Sequence, residues 1–319
     1  MQPYLQQQLN SFIKQQITII ALVVPTLIVI STGCTTKTSI NNQPQPTATS
    51  QVSVESGPST LTIASIPSTN DAPEQLRPLT EYLTKTLKRP VSIQPIKDYN
   101  RTVDLLVEEK VQVAVLGPLS YLEAKQRNPQ IEPIVAPIHK STGRPWYKSA
   151  IIANSGSGIK TLDDLKGKRL GFVSKLSTSG YMYPVVHLLN LGFKFDSDFA
   201  SVQFFKNRDN TLAALLDGQV DAIATNLERY TEAKEAGKIN DSYQVIWESE
   251  PIPESPIVVS QKLSPQLIAE LKEAFLSAPI GILSLGGVPS NGYTLVQDSD
   301  YDGVKQVKKQ LDENLGNTK

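Results

Sequence analysis

The chain has 319 residues, which predicts two domains or lobes, and it carries 31 lysines and arginines against 31 aspartates and glutamates. This even charge balance excludes nucleic acid as a partner, because nucleic acid is bound through clustered lysines and arginines. A single cysteine and two distant histidines also exclude an internal disulfide, a dithiol redox pair and a zinc site of local spacing.

The first predicted element is a targeting signal. Residues 17–33 read ITIIALVVPTLIVISTG, an uncharged apolar run that follows Lys14 and is short for a bilayer span of about 20 residues. Cys34 follows directly, a placement that resembles a bacterial lipobox, although Ser31 stands where that pattern usually has Leu, Val or Ile. We predict a lipoprotein signal peptide at residues 1–33 and a lipid on Cys34. The alternatives are an uncleaved membrane anchor and a cysteine that is there by chance.

Residues 34–60 are predicted to form a disordered linker that starts at the lipidated cysteine. Between positions 35 and 60, 20 of the 26 residues are Ser, Thr, Asn, Gln, Pro or Gly. Such a composition cannot bury enough apolar surface to fold. A flexible chain of this length reaches about 28 Å, so it would hold a globular domain just off a membrane.

The remaining chain is predicted to alternate strands and helices in two series. The first series comprises strand Leu61–Ile66, a helix with leucines at 76, 79, 83 and 87, strand Val91–Ile93, a helix capped by Asn100, and strand Val111–Leu116. The second series comprises a short helix from Thr161 to Gly167, strand Arg169–Ser174, helix Met182–Leu191, strand Ser201–Phe205, helix Asn210–Leu216 and strand Val220–Thr225. A helix from Tyr301 onward is predicted to pack back on the first lobe.

Candidate binding residues follow three strands of the second series. They are Ser177, Thr178, Ser179, Arg208 and Glu228. Ligands of open α/β sheets bind outside the carboxyl ends of the strands, where helix N-termini favour anions. Three hydroxyls followed by Gly180 therefore suit a tetrahedral oxyanion. Taken alone, a run of Ser and Thr before a helix is more often an ordinary helix cap, and the two charged residues are equally solvated surface groups.

Several motifs, in order from about residue 61 to about residue 310, resemble one known family. They are LGPLSY at Leu116–Tyr121, EPI at Glu132–Ile134, WYKSAI from Trp146, DLKGKRLGFVSKLSTSGY at Asp164–Tyr181, DGQVDA at Asp217–Ala222 and PIPESPIV from Pro251. Together they are similar to the phosphonate/phosphite-binding proteins of ABC importers. The DLKGK motif occurs in many periplasmic binding proteins, whereas LGPxxY followed by STSG and IPxxP is specific to this family.

The resemblance implies an α/β fold of the two-lobed type II periplasmic binding protein class, with a ligand cleft between lobes that close like a flytrap. Lobe 1 would comprise residues 61–149 and 252–319, and lobe 2 residues 150–251. The chain would cross between the lobes near Ser149 and near Glu250.

The resemblance also implies a binding site. In the family the anion is held by the Ser-Thr-Ser run and by two tyrosines, which match Tyr99 and Tyr147, and Tyr121 would line the cleft. Arg208 stands in Asn-Arg-Asp where the family often has Gly-His-Asp. An arginine there either offers a charged bidentate donor or turns outward.

One acid of the implied site bears on the choice of ligand. Aminophosphonate-binding members use two acids to hold the ammonium group; Glu228 matches one, whereas the other falls at Ser255, with Glu254 beside it. Glu228 could equally share a proton with a ligand oxygen. The ligand is therefore open among phosphite, alkylphosphonate and phosphate.

The sequence favours a binding protein over an enzyme. His187 lies among apolar residues and is predicted to be a core or capping residue, and His139 is predicted to be exposed in a polar loop. Neither lies near a GxSxG motif, a reactive cysteine or a catalytic carboxylate pair. We expect no cofactor and no metal.

The implied partners are a small oxyanion ligand and an ABC permease and ATPase complex. We expect a monomer at the periplasmic or extracytoplasmic face, attached to the membrane through its lipid anchor. The alternative function is a tethered sensing module that reports an anion to a membrane signalling partner.

Overall fold

The computed structural model describes residues 59–65, 72–96, 98–140, 142–260, 262–282, 284–285 and 290–316. The predicted signal peptide, Cys34 and nearly all of the predicted linker lie outside these residues. Within the described ranges, no helix combines the length and the apolar character needed to cross a membrane.

The first sheet has six strands. They are β1 (Leu61–Ser65), β2 (Val91–Pro95), β3 (Val113–Val115), β4 (Glu132–His139), β12 (Ile257–Val259) and β13 (Ser290–Leu295). Their order is β13-β4-β12-β3-β1-β2, with β1 parallel to β2 and β3 and the other pairs antiparallel. The helices between these strands are α1 (Ala72–Leu87), α2 (Tyr99–Val107), α3 (Pro118–Arg127) and α7 (Pro265–Leu276).

The second sheet has five strands. They are β6 (Ser149–Asn154), β7 (Arg169–Phe172), β8 (Ser201–Phe204), β9 (Ala222–Asn226) and β10 (Tyr243–Glu248). Their order is β10-β6-β9-β7-β8, and β7 is parallel to both β8 and β9. The associated helices are α4 (Tyr183–Asn190), α5 (Arg208–Leu216) and α6 (Leu227–Glu235), and a π-helical turn at Thr178–Met182 leads into α4. Short 3₁₀ turns occupy Ser155–Ser157 and Asp163–Leu165.

Two short strands connect the sheets. The chain leaves the first sheet through β5 (Trp146–Tyr147) and returns through β11 (Ile252–Pro253), and these strands pair with each other in antiparallel fashion. The fold is therefore the two-lobed α/β architecture that the sequence predicted.

The C-terminal helix α8 (Asp302–Gly316) follows a 3₁₀ turn at Asp298–Tyr301. It contacts α3 beside the first sheet and also α4 beside the second. The prediction that it packs on the first lobe was incomplete, because the buried cluster that receives Val304 and Leu311 is continuous across both lobes. The helix therefore bridges the two lobes.

Local sequence explains the buried face of α1 and the positions at which α2 and α5 begin. The leucines at 76, 79, 83 and 87 of α1 are all buried, as their spacing predicted. Asp98 caps α2 by accepting a hydrogen bond from the Arg101 N–H at 2.9 Å, so the prediction of Asn100 as the cap was wrong. Asn207 caps α5 in the same way, accepting from the Asn210 N–H at 2.8 Å. This cap makes Arg208 the first residue of the helix.

Candidate functional site

The predicted site residues of the second lobe lie at one edge of its sheet. Strands β7, β8 and β9 are parallel, so their carboxyl ends meet there. The Ser177–Ser179 run follows β7, Arg208 begins the helix after β8, and Glu228 is the second residue of the helix after β9. The topology thus collects three separated sequence segments at the position where α/β sheets bind ligands.

The Ser-Thr-Ser run forms the start of the π-helical turn. Ser177 caps the turn, its hydroxyl oxygen accepting from the Gly180 N–H at 3.1 Å. Gly180 is required here, since a β-carbon at this position would lie 2.4 Å from a methyl group of Val173. The hydroxyl of Ser149 donates to the Ser179 carbonyl at 2.7 Å, which anchors the turn to β6.

The turn also contacts the first lobe. The Leu119 N–H, at the start of α3, donates to the Thr178 hydroxyl oxygen at 2.9 Å, and the Ser120 hydroxyl donates to the Leu176 carbonyl at 3.0 Å. A hydroxyl that accepts a hydrogen bond keeps its own proton to donate. The two lobes are therefore in contact where the hydroxyl run and the LGPLSY motif meet.

Arg208 is the most unusual side chain of this edge. Its Nε is buried and has no hydrogen-bond partner among the described residues. Burial by itself would lower the pKa of Arg208, but the neighbouring Tyr99, Tyr147 and Glu254 raise it overall. The guanidinium therefore stays charged inside the protein. A buried donor without a partner is costly, so this side chain is poised to receive an acceptor from outside the chain.

The two tyrosines that match the family pattern lie beside this arginine. Tyr99 begins α2 and Tyr147 lies in the crossing strand β5, and each is only 3% exposed. Burial raises the pKa of Tyr147 strongly, with a further rise from Glu254, and a hydrogen bond with Thr178 and the charge of Arg208 offset only part of this. The phenol of Tyr147 is therefore neutral at physiological pH, and a neutral phenol can donate its proton.

Glu228 is buried at the start of α6. Its carboxylate accepts from the Lys148 N–H at 3.2 and 3.3 Å. Burial raises the pKa of Glu228, and the hydrogen bonds from backbone N–H groups and the charge of His139 offset this only partly. The raised pKa allows this carboxyl to hold or share a proton nearer to neutral pH.

A histidine and an acid face this group from the first lobe. His139 ends β4 and is 2% exposed, so the prediction that it is exposed was wrong. Its Nε2 contacts the carboxylate of Glu254, which is also buried. Sequence reasoning missed this pair because its members are 115 positions apart, and nothing in the polar loop after His139 signals the contact.

A small cavity is lined by Arg208 and by the His139–Glu254 pair. Its empty volume is about 420 Å³, counting the part open to solvent. Its lining includes His139, Arg208, Asn226, Arg229, Glu254 and Ser255, together with apolar side chains. The Ser-Thr-Ser run, the two tyrosines and Glu228 are not part of this lining. Tyr99 and Tyr147 lie beside Arg208, which is part of it. Of the predicted residues, the structure thus places Arg208 on the cavity itself.

Arg229 and Asn226 also line the cavity and were not predicted. Asn226 caps α6, accepting from the Arg229 N–H at 2.9 Å. Arg229 forms ion pairs with Asp209 at 3.9 Å and Glu232 at 3.3 Å. The Asn that directly precedes a predicted helix was a readable cap signal. The placement of Arg229 was not readable, because helical phase alone does not say which face meets the other lobe.

Two other predicted side chains take structural positions. Tyr121 does not line the cleft; it is fully buried, its ring 5.2 Å from that of Tyr301, and its hydroxyl bonds to Asp298 below α8. His187 is partly buried and stacks on Trp247 with ring centroids 4.6 Å apart. Within the described ranges, no group of histidines, cysteines and acids is arranged to hold a metal ion.

Comparison with known proteins gives a consistent match. The family model described as ABC transporter, phosphonate, periplasmic substrate-binding protein matches residues 61–301. The chain is 27% identical over 291 residues to the phosphate-import protein PhnD of Mycolicibacterium smegmatis, covering 84% of this chain and 89% of that one. It is 30% identical over 222 residues to the phosphonates-binding periplasmic protein of Escherichia coli, covering 67% of this chain and 64% of that one.

A solved structure supports the fold. A Prochlorococcus marinus protein in complex with methylphosphonate superposes with a TM-score of 0.71. The two are 20% identical, and the match covers 80% of this chain and 99% of the other. The two-lobed architecture is therefore shared.

Proposed function

Since the chain belongs to the family of periplasmic substrate-binding proteins of phosphonate ABC transporters, we propose that it captures a small phosphorus oxyanion between its lobes and delivers it to an ABC importer. The ligand is phosphite, an alkylphosphonate or phosphate. The family is one of transport proteins outside the cell's cytoplasm, which favours delivery to a permease and ATPase complex over the sensing alternative.

The observation that carries this proposal is the state of Arg208. A guanidinium whose buried Nε has no partner within the described part of the chain is stabilised by an anion that reaches it. Guanidinium and phosphorus oxyanions match in geometry, because two parallel N–H donors meet two oxygens. We assign Arg208 as the charged donor to the ligand.

The hydroxyl groups around it complete the proposed site. We assign Ser177, Thr178 and Ser179 as donors to the oxyanion from the second lobe, together with Tyr99 and Tyr147 beside Arg208. The hydrogen bond between Thr178 and Tyr147 connects these two side chains and uses the proton of one of them. An oxyanion has several lone pairs on each oxygen, so it can accept from several of the remaining donors at once.

Glu228 is assigned to a protonated oxygen of the ligand. Its raised pKa, with burial as the main cause, favours a shared proton over two facing negative charges. This assignment suits monoprotonated phosphite or phosphate, and it suits a monoprotonated alkylphosphonate equally.

We further assign residues 61–149 and 252–319 to lobe 1 and residues 150–251 to lobe 2. The crossing strands β5 and β11 support these boundaries. A ligand that contacts both lobes favours the closed form. The radius of gyration from small-angle scattering should therefore fall when the ligand is added. An unchanged radius would contradict closure.

The tether is proposed from the sequence alone. We propose that residues 1–33 are cleaved as a signal peptide and that Cys34 is lipidated, so that the protein acts as a monomer anchored at the extracytoplasmic face. Cys34→Ser should abolish lipid labelling and leave the precursor unprocessed. Unchanged mass and membrane retention in this variant would instead support an uncleaved anchor.

The binding proposal is tested by titration calorimetry of the full chain in detergent. Phosphite, methylphosphonate, 2-aminoethylphosphonate and phosphate are compared, with sulfate as the control anion. Saturable binding of at least one phosphorus oxyanion in preference to sulfate is the expected result. Failure of all four ligands to bind would overturn the proposed function.

A further inference from the structure

We propose that the buried His139–Glu254 pair is a specificity-determining element of this site, closing it to phosphonates that carry an ammonium group and leaving it open to those whose substituent is uncharged. This inference rests on the proposed function. It concerns two residues that the sequence did not mark as binding residues and that approach each other only in the folded chain.

Both carboxylate oxygens of Glu254 are engaged within the protein. One carboxylate oxygen, Oε2, contacts the Nε2 of His139, and the other, Oε1, accepts from the Ser255 N–H at 2.7 Å. The side chains of His139 and Glu254 are only 2% and 9% exposed. An ammonium group would have to reach a nearly buried carboxylate whose negative charge His139 already balances.

The pair lies on the cavity rather than behind it. His139, Glu254 and Arg208 are all lining residues of the same cavity. The charge of Glu254 raises the pKa of Arg208, and that of Arg208 lowers the pKa of Glu254, which places the two groups within electrostatic reach of each other. A ligand held by Arg208 therefore directs its substituent into a space that the pair borders.

The pair contributes no net charge to that space. Burial opposes ionisation of both partners, but their contact raises the pKa of His139 and lowers that of Glu254, which favours the ion pair. With the negative charge of Glu254 neutralised, Arg208 dominates the local field. A cationic substituent is repelled there, whereas a hydrogen or methyl group meets Val115, Pro137 and Ile257, which also line the cavity.

Glu228 does not supply the missing acceptor. Burial raises its pKa and makes it a poorer anion than an exposed glutamate, and it is not a lining residue of this cavity. Holding a buried ammonium requires a desolvated carboxylate that is both ionised and free to accept. Among the described lining residues of the cavity, Glu254 becomes such a group when His139 is removed.

A substitution cycle at His139 and Glu254 tests the role of the pair. The net charge of the pair is zero in the parent, about minus one in His139→Gln, and zero in the His139→Gln/Glu254→Gln double variant. The quantity to measure is the ratio of the affinities for 2-aminoethylphosphonate and methylphosphonate, by titration calorimetry of the full chain. His139→Gln should raise this ratio by about tenfold or more, as expected for one hydrogen bond to a charged group. The double variant should return it to within about threefold of the parent value.

His187→Gln is the matched control. His187 is the other histidine of the chain and stacks on Trp247. It is not a lining residue of the cavity, so this substitution should leave the ratio unchanged. A ratio that also stays unchanged in folded His139→Gln would overturn the inference, because a purely structural ion pair affects stability and not the choice of ligand.

Glu254→Gln keeps the inference testable if His139→Gln does not fold. The remaining histidine then becomes neutral, so the net charge of the pair stays zero and the ratio should stay within about threefold of the parent. A loss of tenfold or more in this ratio would show that Glu254 holds the ammonium in the parent and would overturn the inference. If the parent binds none of the phosphorus ligands, the proposed function fails instead, and the two failures are thereby distinguished.

Discussion

Two arginines line the same cavity in opposite states. Arg229 is paired with Asp209 and Glu232, whereas the Nε of Arg208 is buried without a partner among the described residues. Burial, followed by the charge of Arg208, lowers the pKa of Arg229, while nearby tyrosines and Glu254 raise that of Arg208. An internally paired charge stabilises the fold. An unpaired buried charge costs stability and is retained where a ligand supplies the partner.

The largest expected effect comes from replacing each of these two arginines by alanine in turn. Arg208→Ala should weaken binding of the cognate anion by about a hundredfold, since it removes charged hydrogen bonds to the ligand, and it should not destabilise the unliganded protein. Arg229→Ala should change affinity much less. It should lower the free energy of unfolding by about 1 kcal/mol or more, because Asp209 and Glu232 lose their partner. Calorimetry and denaturant unfolding separate the two effects; equal affinity losses would contradict the contrast.

The residues of the Ser-Thr-Ser run also differ in their contacts within the protein. Thr178 accepts from the Leu119 N–H through its side chain, whereas the contact of Ser179 with Ser149 is made by its backbone carbonyl. Thr178→Val should weaken ligand binding by about tenfold and also leave the Leu119 donor unsatisfied, which lowers stability. Ser179→Ala should weaken binding with little loss of stability. Equal melting temperatures for the two variants would contradict the assigned role of Thr178 between the lobes.

Substitution of Gly180 tests whether anion binding depends on the exact position of the turn that carries the hydroxyls. Gly180→Ala places a β-carbon 2.4 Å from a Val173 methyl group and 2.8 Å from the Ser177 hydroxyl. We expect a loss of about 1–3 kcal/mol in stability and weaker anion binding, since the turn must shift. Gly218, at a positive φ with open space around it, is a control site where Ala strains only the backbone. A Gly180→Ala variant that binds as tightly as the parent would show that the turn tolerates displacement.

The smallest effects concern the two histidines, which differ as the two arginines do. The Glu254 contact raises the pKa of His139 above 6.5 against the effect of burial, and burial lowers that of His187. The stabilisation from His139 is therefore full below pH 6.5 and is lost as pH rises through its higher folded value. The pKa shift of His187 has the opposite sign, so its protonation costs stability as pH falls below 6.5.

Denaturant unfolding at several pH values tests these signs. In His139→Gln, the free energy of unfolding should fall less steeply as pH rises above about 6.5. In His187→Gln, the free energy of unfolding should fall less steeply as pH decreases just below that value. Glu254 has a lowered pKa, so its contribution is present above its unfolded value of about 4.5 and is lost as pH falls through the folded value. Unchanged pH profiles in both histidine variants would contradict the assigned environments.

Sequence by itself predicted the alternating elements, the two-lobed class and the family. Period and capping are local properties, so the leucines of α1 and the turn at Ser177 were readable from neighbouring residues. The family motifs also pointed to Tyr147, Arg208 and Glu228. The structure brings Tyr147 within electrostatic reach of Arg208 and places Glu228 on the N–H of the neighbouring Lys148. Whether they bind the ligand is the proposal to be tested.

Tertiary structure decided which charges have partners. His139 and Glu254 are 115 positions apart, and β4 and the segment between β11 and β12 bring them together. Arg208 and Arg229 lie on different helices, and only their packing shows that Arg229 is paired, whereas the Nε of Arg208 has no partner in the part of the chain that the structure describes. Electrostatic energy depends on distance and burial, and neither is encoded in a local pattern. The sequence could therefore name the acids, the arginines and the histidines, but the fold determines which of them a ligand can meet.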